Sequence, residues 1–339
     1  MKKTVYVGFA FLHHKGTQGG YHHILNYASY DYIIDAQDDF ERLSSPHNNI
    51  LSKITRRVFR IIFGLDTFPL FLFRCLWLGF TKKELVFHII YGENLYTPLF
   101  RLIPKRHKIV YTFHQPFEWF NNPKWLKVLQ SADRIILVGN TEIGKFREAS
   151  GKDNVVYIPH GVTTDFYKPD SEYQKKKNIL TVGNWLRNYD LANRVYIKFL
   201  EENPDWIVSV VADQYNLAKI SDQPNIIKYS GISDKELKRL YCESSILFLP
   251  LIRYTANNSL LEASACGCNI LIASDYADNS YIPADYIRCV PMSEDQTLQF
   301  LRNVANHPFN YNHALRQYVV DEFSWQTIGF KTKSFLKSL

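Results

Sequence analysis

The sequence predicts an α/β protein of two doubly wound domains, each a parallel sheet with helices on both faces. Three observations predict it. Apolar runs of strand length alternate with amphipathic segments of helix length along most of the chain; one polar stretch interrupts the alternation, which then restarts; and 339 residues is the length of two ordinary domains. A strand covered by helices on both faces reads as a continuous apolar run, and these runs do.

The first series opens with Thr4–Phe11, which ends at a polar, Gly-rich loop, HHKGTQGG, with a helical segment from about Gly20. LVFHIIY (Leu85–Tyr91), KIVYTF (Lys108–Phe113), RIILV (Arg134–Val138) and NVVYIP (Asn154–Pro159) follow, mostly separated by helical patterns. The stretch from Gly161 to Lys177 is looser and polar and reads as the linker. The second series runs NILTVG (Asn178–Gly183), a helix carrying Leu191, Val195, Phe199 and Leu200, then IVSVV (Ile207–Val211) and NIIKYSG. A helix with Leu237, Leu240 and Tyr241, the strand SILFLP (Ser245–Pro250), a helix from about Asn258 and the strand NILIAS (Asn269–Ser274) complete it. Apolar residues at i, i+4 and i+8 let such helices lie flat on a sheet, and ligands are expected at the carboxyl ends of the strands.

Composition narrows the function classes. The net charge of +7 is modest and suits phosphate-bearing ligands or an anionic membrane surface. No basic run has aromatics interleaved, so nucleic acid is not an expected partner. The five cysteines have no metal-ligand spacing, and no secretory apolar region follows Met1-Lys2-Lys3, which together predict reduced thiols in a cytoplasmic protein. The most lipid-like stretch, Phe68–Phe80, is interrupted by Arg74 and is shorter than the roughly 20 apolar residues a spanning helix needs.

The densest cluster of candidate chemistry is RYTANNSLLEASACGCNILIAS (Arg253–Ser274). Pro250 ends a buried strand, Asn257 or Asn258 can cap the next helix, and Gly267 stops it. The free amides at that helix start form an anion site suited to a diphosphate, with Glu262 one turn in, placed to accept hydrogen bonds from ribose hydroxyls. In TVGNWLRNYDL (Thr181–Leu191), a loop after Gly183 carries Asn184, Arg187 and Asn188, and Arg187 can clamp phosphate oxygens bidentately. In the first domain, Gly19 and Gly20 of GTQGG can bring backbone amides to a ligand. His114 and Gln115, at the end of KIVYTF, and Glu93, after LVFHIIY, are candidates for binding or proton transfer. No G-x-G-x-x-G, no P-loop, no G-x-S-x-G elbow and no Asp-x-Asp occurs. His13, His14, His22 and His23 lack a carboxylate or thiol to complete a metal set, so no metal is expected.

Taken together, these segments resemble the retaining glycosyltransferases of family 4, over most of the chain and best from Val155 to Ser274. YIPHGVTTDFYKP (Tyr157–Pro169) is similar to that family's interdomain segment, and YSGISDKELKRLYCESSILFLP (Tyr229–Pro250), with Ile232, to its nucleotide-base loop, helix and strand. LLEASACGCNILIAS is similar to its Leu-Glu-Ala-x-Ala-x-Gly helix and strand, GTQGG to its amino-terminal loop, and EFSWQTIGFKTKSFL (Glu322–Leu336) to its closing helix. The resemblance implies two facing Rossmann-like domains of the GT-B fold: 1–165 on the acceptor side, 166–322 for the nucleotide sugar, and 323–339 packing back on the first domain. It implies transfer of a sugar from a nucleotide diphosphate sugar to a glycan or lipid-linked acceptor, with retention, without a metal or other cofactor, in cell-surface polysaccharide synthesis. Glu262 then falls on the family's ribose ligand, while Tyr254 stands where its first glutamate would be. Asn257, Asn258, Ser259 and Leu260 fall in the loop and helix start that face sugar and diphosphate. Asn184 replaces an arginine of the family's basic pair, and Arg187 takes the lysine position. The competing readings are a non-catalytic nucleotide-sugar-binding subunit of a polysaccharide assembly complex, a sugar-nucleotide epimerase, and a phosphorylase, for which no cofactor lysine site is found.

The segment Ile54–Leu65 places Arg56, Arg57 and Arg60 opposite Ile54, Val58, Ile61, Ile62 and Leu65, immediately before the run Phe68–Phe80. A basic amphipathic helix beside an apolar one fits either two helices packed on a sheet or a peripheral contact with the inner face of an anionic membrane.

Overall fold

The computed structural model describes residues 2–44, 50–64, 69–276, 282–306 and 310–339; Leu65 and Phe68, which bound two of the predicted segments, lie outside them. The chain forms two compact units. One comprises Met1–Gly16, Gly20–His160 and Ile328–Leu339, the other Thr17–Gly19 and Gly161–Thr327.

The first unit holds six strands, β1 (Lys3–Gly8), β2 (Tyr32–Asp35), β3 (Leu85–Ile89), β4 (Lys108–Phe113), β5 (Arg134–Leu137) and β6 (Val155–Tyr157). All pair in parallel, in the order β2-β1-β3-β4-β5-β6. The second holds β7 (Lys176–Val182), β8 (Ile207–Val211), β9 (Ile226–Tyr229), β10 (Ser244–Pro250), β11 (Asn269–Ala273) and β12 (Arg288–Val290), parallel in the order β12-β11-β10-β7-β8-β9. The apolar runs become the central strands because helices cover both faces. Every residue of β10 is buried, with Leu247 and Leu249 on one core and Ile246 and Phe248 on the other. Each such side chain contributes about 1.5–3 kcal/mol relative to exposure.

Side-chain oxygens set several helix starts. Asn188 accepts from the Leu191 amide at the head of Tyr189–Glu202, and Asn257 from the Leu260 amide at the head of Asn258–Ala265. Ser233 and Glu236 close a reciprocal capping box on Asp234–Glu243. Gly267, with φ of +69°, reverses the chain after Asn258–Ala265.

The sheet order reverses at β1/β3 in the first unit and at β7/β10 in the second. The crevice outside the carboxyl ends of two strands whose connections leave in opposite directions is the ligand position of this architecture. Everything in the candidate sites below hangs from those four strands and from β4.

The segment Leu70–Thr81 is a helix buried on one side through Phe71, Leu72, Cys75 and Gly79, and its amino end is held by Asp39, which accepts from the Leu70 and Phe71 amides. Ile50–Phe63 is also a helix, but Ile54, Val58, Ile61 and Ile62 are exposed, so its apolar side covers no core. Among the described residues, no helix is long and apolar enough to cross a membrane.

The last helix, Trp325–Ser338, tolerates no side chain at Gly329. A Cβ there would lie 2.5 Å from the Cβ of Tyr27 and 2.7 Å from its carbonyl carbon and oxygen. Backbone cannot swing away as a flexible side chain would, so Gly329→Ala is expected to destabilise the protein by about 1–3 kcal/mol despite the better helix propensity of alanine. Urea unfolding checks this, and an unchanged midpoint would show that the contact relaxes freely.

Candidate functional site

In the second unit, β7 ends at Val182 and the chain turns through Gly183, whose φ of +114° a side chain would oppose. Leu186 takes the left-handed conformation, φ +56°, fixed on its carboxyl side by the bond from the Ile252 amide to its carbonyl at 3.0 Å. A non-glycine residue holds that conformation only where neighbours over-determine it, and here it turns Arg187 inward. The guanidinium lies on the bare α-carbon of Gly183, where a Cβ would be 2.9 Å from Nη2.

Arg187 makes only neutral contacts. Its Nε donates to the Val182 carbonyl at 3.3 Å and Nη1 to the Trp185 carbonyl at 2.8 Å. Nη2 donates to Asn257 Oδ1 and Ser259 Oγ, each at 3.3 Å. Among the described residues no carboxylate forms an ion pair with it. Burial lowers its pKa to about 10, against a smaller opposing effect of Tyr189 and Tyr241. It is charged at pH 7.

The helix Asn258–Ala265 begins beside it. Asn257 is the cap; its Oδ1 accepts from the Leu260 amide, the Ser259 hydroxyl and Arg187. This leaves the amides of Asn258 and Ser259, among the first turn's free donors, at the same end as the guanidinium. Leu260 itself is core, with no exposure, and reaches the site only through its backbone. One turn in, Glu262 is buried, and its Oε2 accepts from the Tyr241 hydroxyl at 3.0 Å. Burial raises its pKa to about 7; the Tyr241 bond opposes that rise and the Asp234 charge adds to it. Glu262 therefore sits near half ionisation at neutral pH.

The other predicted donor-side residues hold the frame. Asn184 Oδ1 accepts from the Asp213 amide at 2.7 Å, tying the loop after β7 to the turn after β8. Asn188 caps its helix and donates its amide to the Pro250 carbonyl at 2.8 Å. Ile232 and Tyr254 pack, half-buried, on the apolar core beneath. The residue that the sequence reading passed over is Tyr241, read as one apolar position of a helix, and nothing local marks its hydroxyl as the partner of Glu262.

In the first unit the structure joins two candidates that the sequence left apart. Glu93, in the turn Gly92–Leu95, accepts the His114 backbone amide at 3.2 Å, and its carboxylate lies 3.3 Å from His114 Nδ1. The imidazole also packs against the rings of Tyr21, at 4.8 Å between centroids, and Tyr91, at 4.7 Å. The Tyr21 amide donates to the Tyr91 hydroxyl at 3.1 Å, and Tyr21 in turn meets His160 at 5.5 Å. Tyr21, Tyr91 and His160 were not singled out in the sequence. Gln115 follows His114, half-buried. Gly20, with φ of +99°, opens a single 3-10 turn, Tyr21–His23, followed by the one-turn helix Ile24–Tyr27. The helical segment expected from about Gly20 is present but short. Gly19 donates its amide to Thr17 Oγ1 at 3.3 Å.

His13 and His14 pack together, as do His22 and His23, with ring centroids 4.2 and 4.4 Å apart. Burial and mutual repulsion push His14 down to about 3 and His22 to about 4, so both are neutral at pH 7. Among the described residues no group of three or more His, Cys, Asp or Glu is arranged to hold a metal.

No protein-family model and no curated protein sequence matches the chain. Solved structures match it from end to end. A glycosyltransferase from Rickettsia africae ESF-5 is 15% identical, with a TM-score of 0.64 over 99% of this chain and 98% of that chain. A sucrose-phosphate synthase from Thermosynechococcus elongatus is 12% identical, with a TM-score of 0.70 over 99% of each chain. A trehalose-6-phosphate synthase is 13% identical, with a TM-score of 0.68 over 100% of this chain and 99% of that chain. At such identities the likeness establishes the fold. The chain is a two-domain α/β protein of the GT-B type, with two six-stranded parallel Rossmann-like sheets.

The raised Glu262 pKa has a consequence for stability. The fold favours the protonated carboxyl, so its contribution is complete below the ordinary carboxylate range and is lost as pH rises through about 7. Glu262→Gln removes that loss. Relative to wild type, the variant is expected to be more stable at about pH 8 than at about pH 5, read by urea unfolding at both. An equal difference at the two pH values would show that the carboxyl does not titrate in this range.

Proposed function

We propose that this chain is a glycosyltransferase that moves a sugar from a nucleotide diphosphate sugar to a glycan or lipid-linked acceptor. The observation that carries the reading is the half-buried Arg187 guanidinium, which has no carboxylate partner among the described residues, beside the amino end of Asn258–Ala265. A diphosphate supplies the charge this place lacks, and Glu262, one turn along, is positioned for the ribose hydroxyls. The named glycosyltransferase and synthases of the same fold support the class.

In the reaction the bond from the anomeric carbon to the diphosphate oxygen breaks, with its electron pair going to the phosphate. Negative charge gathers on the diphosphate as the carbon becomes cationic. Arg187 and the helix amides are fixed donors aimed at that charge, so they stabilise the transition state more than the bound donor. A cation already in place carries this out without a metal. The acceptor oxygen attacks the anomeric carbon, and its proton leaves with the phosphate oxygens as acceptors. Retention of configuration follows the family 4 resemblance. Glu93 and His114 serve the acceptor side from the first unit, where the carboxylate fixes the ring. A lipid-linked acceptor, reached from the cytoplasmic side of an anionic membrane, fits a role in cell-surface polysaccharide synthesis.

Tyr254, which brings a phenol where the resemblance calls for a carboxylate, favours the second reading, a subunit that binds the nucleotide sugar without turning it over. Turnover separates the two.

The test screens nucleotide sugars by thermal shift and then assays transfer with the binding donor, in the presence of EDTA. Arg187→Ala is expected to lose about 100-fold or more in turnover and to weaken nucleotide binding. Arg187→Lys should recover part of the activity if a point charge suffices, and little if both nitrogens engage the diphosphate. Wild-type turnover in Arg187→Ala would end the assignment.

His114→Ala is expected to reduce transfer about 100-fold while nucleotide affinity, measured by calorimetry, stays within a few-fold. Equal loss of both would make His114 part of the donor site or of the fold.

A further inference from the structure

The positive charge of this protein is concentrated in one place. Residues 50–83 contain seven basic side chains, Lys53, Arg56, Arg57, Arg60, Arg74, Lys82 and Lys83, and one acid, Asp66; that is net +6 of the chain's +7. The rest of the molecule is close to neutral. The same segment carries its largest run of uncovered apolar side chains. On the helix Ile50–Phe63, Ile54 is 56% exposed, Ile61 78% and Ile62 53%, with Val58 between them. On Leu70–Thr81, Trp77 is 70% exposed and Phe80 65%, with Phe73 on the same side.

The second set lines a groove. Phe73, Trp77 and Phe80, with Tyr32 and Ile33 of the edge strand β2, line an open surface groove of about 750 Å3. Phe80 and Tyr32 also line the adjoining groove of about 740 Å3, whose other walls are Lys3, Lys82, Lys83 and Arg106, with Glu84 its one acid. An apolar floor thus runs into a basic rim. Exposed isoleucines on one helix and, on the other, an exposed indole and phenylalanine next to a lysine-rich groove match a hydrocarbon layer under anionic headgroups. A soluble protein partner would need a shaped complement to that rim, whereas a bilayer supplies both chemistries over any area.

We propose that the face formed by Ile50–Phe63, Leu70–Thr81 and β2 docks on an anionic lipid bilayer. The isoleucine stripe and the Trp77–Phe80 pair enter the headgroup boundary, and the basic residues engage lipid phosphates. The inference rests on the proposed function only for its purpose, the delivery of a lipid-linked acceptor; the surface itself stands on exposure and charge. It also differs from the arrangement expected for packed helices, because Ile54, Val58, Ile61 and Ile62 of Ile50–Phe63 are exposed along with Arg57 and Arg60.

Flotation of the full chain with vesicles of phosphatidylcholine and phosphatidylglycerol tests it. The wild type is expected to float with these at low salt, to stay behind with phosphatidylcholine alone, and to be largely released at high salt, where charges are screened. Each basic residue near anionic lipid contributes about fivefold, so Arg57→Gln, Lys82→Gln and Lys83→Gln together should cut partitioning about 100-fold. Ile61→Ser with Trp77→Ser should abolish flotation while leaving the melting temperature unchanged, since both side chains are in solvent. Calorimetry with UDP and GDP on the same preparations separates this proposal from the donor reading, because nucleotide binding and flotation can each fail alone. Absence of flotation by the wild type, or equal flotation by the variants, would overturn the proposal. So would a dimer in solution that the same substitutions dissociate, since the face would then belong to a second copy.

Discussion

One guanidinium, Arg187, half-buried and paired among the described residues only with neutral groups, ties together the loops that follow β7 and β10. Gly183 has no side chain because Arg187 lies on its α-carbon. Leu186 occupies a backbone region that leucine avoids, and that turn aims the next residue inward. Asn257 caps a helix with the same oxygen that receives the guanidinium, and Ser259 shares both contacts. Each feature is slightly unfavourable or ordinary by itself. Together they hold a cation in position before any ligand arrives, so no reorganisation is needed when charge develops.

The Glu262–Tyr241 pair works in the opposite sense. Its carboxyl is buried enough to approach neutrality at pH 7, and the single phenol bond is what keeps ionisation within reach. A hydroxyl-bearing ligand would add acceptors' partners to the same carboxylate and draw its pKa down. Binding of such a ligand would therefore be linked to the charge state of this carboxyl. In the first unit, Glu93 accepts the His114 backbone amide and its carboxylate lies 3.3 Å from the ring, while Tyr21 and Tyr91 wall the imidazole in.

Charge is divided as sharply as the folds are. The candidate site of the second unit has one half-buried arginine, whereas residues 50–83, two helices of the first unit with the lysines that follow them, carry net +6 of the chain's +7. A buried cation acts at short range and is insensitive to salt. A cluster of exposed ones acts collectively and is screened within about a Debye length. The two sets are thus suited to a small bound anion and to an extended charged surface respectively.

Much of this was legible in the sequence. Ten of the twelve strands stand out as apolar runs, because helices on both faces remove any need for polar alternation, and Asn257, Glu262, Arg187 and His114 all fall just beyond the end of such a run. The two strands missed, Tyr32–Asp35 and Arg288–Val290, are short edge strands with one fully buried position apiece, too little to leave a period. The helix expected after Gly20 is one turn long, since the loop is closed there by aromatic and histidine packing that local propensity does not encode. What the tertiary structure alone decided is the company each residue keeps. Strand order sets β7 beside β10 and β3 beside β4, and so brings Arg187 to Asn257 across 70 positions and Glu93 to His114 across 21. Whether the isoleucines of Ile50–Phe63 face a core or solvent was equally beyond the sequence, because a packed helix and a surface-docking helix share one periodicity and only the presence of a covering layer distinguishes them.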